Sequence, residues 1–213
     1  MHVGILGTGN LAVALGKAWL AAGRAVVLTG RDADRVRAAA AEIGAEAVAP
    51  DEFAARAGVV LVAVAYDGLA GALSLVGADR GGLGGKTVLD CTNAVDYATG
   101  RLRPASGSAA EFVARHAPGA HVVKALHLFA GTSWPHTGPR RPVVALCGDD
   151  PGALGHAAEL VADLGGEGVV VGGLDAARQL EEAAGFVMRV VAAGANPRLA
   201  VPDVEPRRVA PTG

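Results

Sequence analysis

The sequence predicts an α/β fold of Rossmann type: a doubly wound, mostly parallel sheet with a C-terminal strand and helix extension. Three observations predict it. Short unbroken apolar runs, Val59 to Val64 the strongest, read as strands buried on both faces. Stretches with apolar residues three and four apart alternate with them and read as helices. The first run ends in Gly7-Thr8-Gly9-Asn10, a glycine turn between strand and helix. With 213 residues, 51% hydrophobic and 19% charged, one domain is expected over residues 1–195, followed by a loosely ordered tail at 196–213.

Each element has its own signal. Val3 to Leu6 is the first strand, and Leu11, Leu15, Ala18, Trp19 and Ala22 mark the helix after it, ended by Gly23. Ala25 to Leu28 is the second strand. Asp32 caps a helix from Ala33 to Ile43, and Val48 marks a short third strand. Val59 to Val64 forms the central strand, and Thr87 to Leu89 the next after a glycine-rich turn. Ser108-Ala109-Ala110-Glu111 is a capping box that opens a helix to His116, with a strand at His121 to Ala125. Beyond the Pro-rich stretch Trp134 to Pro142, a strand (Val143 to Leu146), a helix (Pro151 to Leu164), a strand (Val169 to Val171) and a long helix (Asp175 to Ala193) complete the pattern.

Composition excludes several classes. A net charge of −2 gives no electrostatic footprint for nucleic acid. No apolar run has the ~18 residues of a membrane span, and no signal-peptide pattern opens the chain. Two cysteines, Cys91 and Cys147, are too few for a disulfide framework, so a cytoplasmic protein is expected. Six scattered histidines do not suggest a metal site.

Ligands in such sheets sit at the strands' C-terminal ends. The first of these holds Gly7-x-Gly9-x-x-Ala12, a dinucleotide fingerprint. Gly7 permits the turn, Gly9 lets a diphosphate approach the backbone, and Ala12 lets helix and strand pack closely. Free amides at the helix start then meet the anion, with Thr8 and Asn10 adding hydrogen bonds. At the second strand an NAD site usually carries Asp or Glu for the ribose hydroxyl. Here Thr29-Gly30-Arg31 stands instead, with Arg35 one helical turn on, so NADP(H) is the expected cofactor and Arg31 the fork for its 2′-phosphate. Leu11, Ala65, Thr92 and Asn93, at the helix start and the later strand tips, complete the expected cofactor contacts.

Taken together, Ile5-Leu6-Gly7-Thr8-Gly9-Asn10-Leu11, Thr29-Gly30-Arg31, Lys124-Ala125-Leu126-His127, Val144 to Asp150 and Ala177-Arg178-Gln179-Leu180-Glu181 give the chain a resemblance to the NADP-dependent reductases of coenzyme F420. The resemblance implies hydride exchange between nicotinamide and a deazaflavin stacked beside it, a homodimer, and a nicotinamide pocket lined by His127, Leu128 and Phe129. Two stretches depart from the family, and both fall where the second substrate should sit. One is Val64-Ala65-Tyr66-Asp67, where members often carry Ile-Pro, and the other is Gly131 to His136, with Trp134 placed in the substrate pocket. The small-molecule acceptor is therefore open between an F420-like deazaflavin and a ketone, imine or enone of a biosynthetic pathway. A non-catalytic NADP sensor is the rival from another class.

The two acceptors make different demands. Hydride exchange between two cofactors needs positioning. A carbonyl or imine also needs a proton, for which His127, Tyr66 and His136 are the donors within reach of the pocket by sequence. His127 could equally hold a backbone carbonyl, Tyr66 could wall the pocket, and His136 is expected in solvent. Cys91 reads as a small buried residue, and Asp90 and Glu181 as structural.

Overall fold

The computed structural model describes residues 1–202 and 204. Its strands and helices alternate: β1 (His2–Leu6), α1 (Asn10–Ala21), β2 (Ala25–Thr29), α2 (Ala33–Ile43), β3 (Glu46–Ala47), α3 (Pro50–Arg56), β4 (Val59–Val62), α4 (Leu69–Leu75), β5 (Thr87–Asp90), α5 (Ala109–His116), β6 (His121–Lys124), β7 (Val143–Gly148), α6 (Pro151–Asp163), β8 (Glu167–Gly172) and α7 (Ala177–Ala192). Eight strands form one sheet in the order β3-β2-β1-β4-β5-β6-β7-β8. All pairs are parallel except β6 with β7. The order reverses between β1 and β4, which opens a crevice at their C-terminal ends.

The lack of alternation in the strands has a direct cause. Successive residues point to opposite faces, and helices cover both. On one face Val3, Ile5, Val59 and Leu61 pack under Leu15 and Trp19 of α1, Val36 of α2 and Leu160 of α6. On the other, Leu6, Val60 and Val62 pack under Phe53 of α3, Leu69 and Leu73 of α4, Val113 of α5 and Leu180 of α7. Trp19 is fully buried, and its indole N–H donates to the Leu160 carbonyl at 2.9 Å, so α1 and α6 are joined at no cost in unpaired polar atoms.

Capping follows the sequence. Asp32 accepts from the amides of Asp34 and Arg35, and Ser108 from that of Glu111. Several boundaries shift. The third strand is Glu46–Ala47, and Val48, just beyond it, donates its amide to the Leu28 carbonyl. The central strand ends at Val62, because Ala63 and Val64 already turn along the crevice. The last helix is preceded by a 3-10 turn at Leu174–Ala176. The helices α3 and α4 were not anticipated, since each is a single short stretch of seven residues with too few turns to display a period. The expected tail at 196–213 begins with a 3-10 turn at Pro197–Leu199, and from 205 on it lies outside the described residues.

Candidate active site

At the tip of β1 the chain turns through Gly7 at φ +131°, where a Cβ would lie 2.2 Å from the Ala63 carbonyl oxygen. Only glycine holds that position without strain. At Gly9, the N-cap of α1, a Cβ would meet nothing within 4 Å, so the backbone faces open space. No side chain caps α1, its first turn carries no acidic group, and its first backbone bond is Val13 N to Gly9 O. The amides of its first turn are therefore free for an anion.

Two cavities meet at this turn. One, about 450 Å³, lies between the tips of β1 and β2 and is bordered by Gly7, Thr8, Gly30, Arg31, Asp32 and Arg35. Arg31 and Arg35 are exposed and form no ion pair among the described residues. One oxygen of Asp32 is taken by the helix it caps. The second cavity, about 590 Å³, runs along the tips of β4, β5 and β6. Gly9, Ala63, Val64 and Ala65 border both, so an elongated ligand can lie across the start of α1 with an end in each. A dinucleotide fits this cradle by shape and by its donor set: amides for a diphosphate, guanidinium groups at one end, a largely apolar slot at the other.

Asn10, Leu11, Ala65, Tyr66, Thr92, Asn93, His127, Leu128 and Phe129 all line the larger cleft. Thr92 presents mainly backbone, because its hydroxyl donates to the Val64 carbonyl. Two expected residues stand elsewhere. Thr29 is fully buried, with its hydroxyl given to the Val48 carbonyl at 3.0 Å, so its side chain fastens β2 to the chain after β3 instead of facing a ligand. Trp134 is buried in the core behind Phe129, ring centroids 5.1 Å apart, because the Pro-rich loop turns its indole inward. His136, expected in solvent, is half-buried, and its amide donates to Leu164.

The wall that sequence reading missed comes from α7, whose Ala184, Val187 and Met188 close the cleft together with Tyr97. The apolar spacing in α7 shows a buried face but not what it covers. Its position is set by charges. Lys124, at the end of β6, is completely buried between Asp90 of β5 (2.9 Å) and Glu181 of α7 (2.7 Å). Glu181 also accepts from the amides of Ala109 and Ala110 at the start of α5. Burial alone would lower the Lys124 pKa, but the two carboxylates raise it above the ordinary lysine value, so the ammonium stays charged.

After β6 the chain reverses at Leu126, in the left-handed region at φ 61°, and delivers His127 to the cleft floor. Its Nε2 lies 3.0 Å from the Leu180 carbonyl of α7, and its own carbonyl accepts from Asn93 Nδ2 at 2.7 Å. Burial, with the Lys124 charge nearby, pushes the imidazole down to about 3. It is therefore neutral, with its one N–H directed at Leu180. Burial likewise lifts the Cys91 thiol to about 12, leaving it inert. Tyr66 stands at the rim, edge-on to Phe112 at 6.0 Å and with the Arg103 guanidinium 5.8 Å from its ring centre. Among the described residues there is no cluster of metal-ligating side chains, and no helix is long and apolar enough to cross a membrane.

Comparison with known proteins agrees with this geometry. Residues 2–94 match the model of a family described as NADP oxidoreductase, coenzyme F420-dependent. The crystal structure of a candidate F420-dependent NADP-reductase from Arthrobacter sp. FB24 is 25% identical, with a TM-score of 0.80 over 91% of this chain and 95% of that one. A hypothetical protein from Sinorhizobium meliloti is 28% identical, with a TM-score of 0.70 over 82% and 85%. An imine reductase from Aspergillus terreus, solved with a reduced NADP derivative, shares the fold at 19% identity and a TM-score of 0.66, and this chain spans 63% of its length. No curated protein matches in sequence. The matched family is one of NADP-dependent oxidoreductases, the enzyme class expected from the sequence.

Proposed function

We propose that the protein, whose residues 2–94 match the model of the coenzyme F420-dependent NADP oxidoreductases, exchanges a hydride between NADP(H) and an F420-like deazaflavin held in the larger cleft. One observation carries the choice of acceptor: the floor of that cleft holds a neutral histidine whose N–H is committed, among apolar walls. Such a floor orients rings and offers no ready proton. Direct hydride exchange between two bound rings asks for that, because its transfer step needs positioning and no protein acid.

When bound, NADPH supplies the hydride. The chain's residues supply the rest. The free amides of α1 would hold the diphosphate, and Arg31 and Arg35 would take the 2′-phosphate. Leu128, Phe129, Val187 and Met188 give flat apolar surface for a second ring and exclude water from beside it. His127 joins β6 to α7 and so sets the width of the slot. His127 thus acts by position, not as an acid. In anaerobic mixing with NADPH, the deazaflavin absorbance should bleach in a one-to-one ratio with NADPH oxidised. Tight NADPH binding without bleaching would remove the deazaflavin.

The Tyr66 hydroxyl at the rim supports a second reading, reduction of a carbonyl or imine with Tyr66 as proton donor. Tyr66→Phe would then slow the reaction by about 10²-fold, whereas deazaflavin reduction would change less than about 3-fold.

A pairing of two copies belongs to the same proposal. It is supported by the sheet's edge strand β8, where Val169, Val170 and Val171 are exposed beside unpaired backbone groups. Two buried, unbridged cysteines suit a cytoplasmic setting.

A further inference from the structure

Two residues that line the larger cleft each carry a side-chain atom buried without a partner, Oδ1 of Asn93 and Nδ1 of His127. Buried polar atoms are rarely left unpaired, and two in one ligand-sized cleft point to a ligand. Their chemistry follows from their neighbours. The His127 carbonyl can only accept, so the Asn93 amide turns its nitrogen to it at 2.7 Å and its oxygen is the free atom. The Leu180 carbonyl can only accept as well, so the ring hydrogen of His127 sits on Nε2 and Nδ1 keeps its lone pair. The ring's resistance to protonation preserves that lone pair at any physiological pH. Both free atoms are therefore acceptors, and the residues that carry them are tied to each other.

A ligand group suited to this pair donates twice and accepts poorly. A ribose hydroxyl donates once and also accepts. A primary carboxamide nitrogen carries two hydrogens and no available lone pair. We propose that Asn93 Oδ1 and His127 Nδ1 form a two-acceptor site for the carboxamide NH2 of the nicotinamide. The inference rests on the NADP(H) reading of the cleft and extends it. The amide grip fixes the rotation of the nicotinamide, and with it the ring face turned toward Leu128, Phe129 and Met188.

Calorimetric binding of three oxidised dinucleotides tests it without any turnover. NADP+ and its thionicotinamide analogue both keep the NH2 and should bind within about 3-fold of each other. The 3-acetylpyridine analogue, with methyl in its place, should bind about 10- to 100-fold more weakly, as expected when buried acceptors are left unpaired. In Asn93→Ala, which keeps the His127 Nδ1 acceptor, that gap should shrink by about 3-fold or more, with the preference for a 2′-phosphate retained. Equal binding of the acetylpyridine analogue and NADP+ to the unaltered protein would overturn the proposal while leaving the NADP(H) reading intact. So would an undiminished gap in Asn93→Ala. If none of the three bound, both would fall. The unaltered protein gives the first comparison by itself, so poor folding of the variant cannot decide the outcome.

Discussion

His127 shows how burial decides what a residue can do. A histidine at a strand tip reads in sequence as an acid or as a clamp. The structure favours the clamp, because protonating this ring requires a pH near 3. Two outcomes follow. Between pH 5.5 and 9 the rate of hydride exchange should show no step near the usual histidine value, which a pH profile of kcat/KM measures. Stability should carry the opposite signature. An unfolded histidine protonates near 6.5 and the folded one only near 3, so across that window the unfolded chain binds the extra proton. Stability therefore falls as pH falls, by about 1.4 kcal/mol per unit from this group. Urea melts from pH 7 to 4.5 should show that slope, and His127→Gln, which keeps a donor for Leu180, should lessen it. Cys91 gives a simpler check: with its thiol held near 12, iodoacetamide at pH 8 should leave it unmodified in the native protein and label it after denaturation.

At the scale of elements, the Lys124 cluster does what apolar packing does elsewhere. It joins β5, β6, the start of α5 and the second turn of α7 through one ammonium and two carboxylates, all without solvent. Lys124→Met would leave two buried carboxylates with no cation, a loss of about 3–5 kcal/mol that urea denaturation would register. A loss below about 1 kcal/mol would mean water reaches the cluster. The strands were legible in the sequence because an unbroken apolar run such as Val59 to Val62 has one structural meaning in an α/β chain. The Gly7 turn, the Asp32 cap and the Ser108 cap were legible for the same reason, since each rests on chemistry between near neighbours. The inward turn of Trp134, the spent hydroxyl of Thr29 and the arrival of α7 at the cleft were not. The hydroxyl of Thr29 and the place of α7 depend on partners 19 and 72 residues away, and the turn of Trp134 on how its loop folds back on the core, none of which local pattern encodes.

The whole molecule divides its labour along the sheet. The β1–α2 side provides glycine, free amides and guanidinium groups for a charged ligand. The β4–α7 side provides a slot of apolar side chains with a few committed polar ones. The first side lies within the segment that matches the family, and the second is completed by residues beyond it, Leu128, Phe129, Val187 and Met188. That is why the dinucleotide was readable from residues 1–35 and the acceptor was not. The exposed valines of β8 give the molecule a further expected property. If two copies pair through that edge, sedimentation should report a dimer, and Val170→Lys should shift it to monomer without altering NADPH affinity.

Everything proposed for the cleft depends on the Arg31 guanidinium at the tip of β2 selecting the phosphorylated dinucleotide. Calorimetric titration of NADPH and NADH into the protein and into Arg31→Ala measures it directly. A preference for NADPH of about 10- to 100-fold is expected, from a charge-assisted contact of about 1.5–3 kcal/mol, with its near disappearance in Arg31→Ala through weaker NADPH binding alone. Equal affinity for the two dinucleotides in the unaltered protein, or an equal loss of both on removing Arg31, would contradict it.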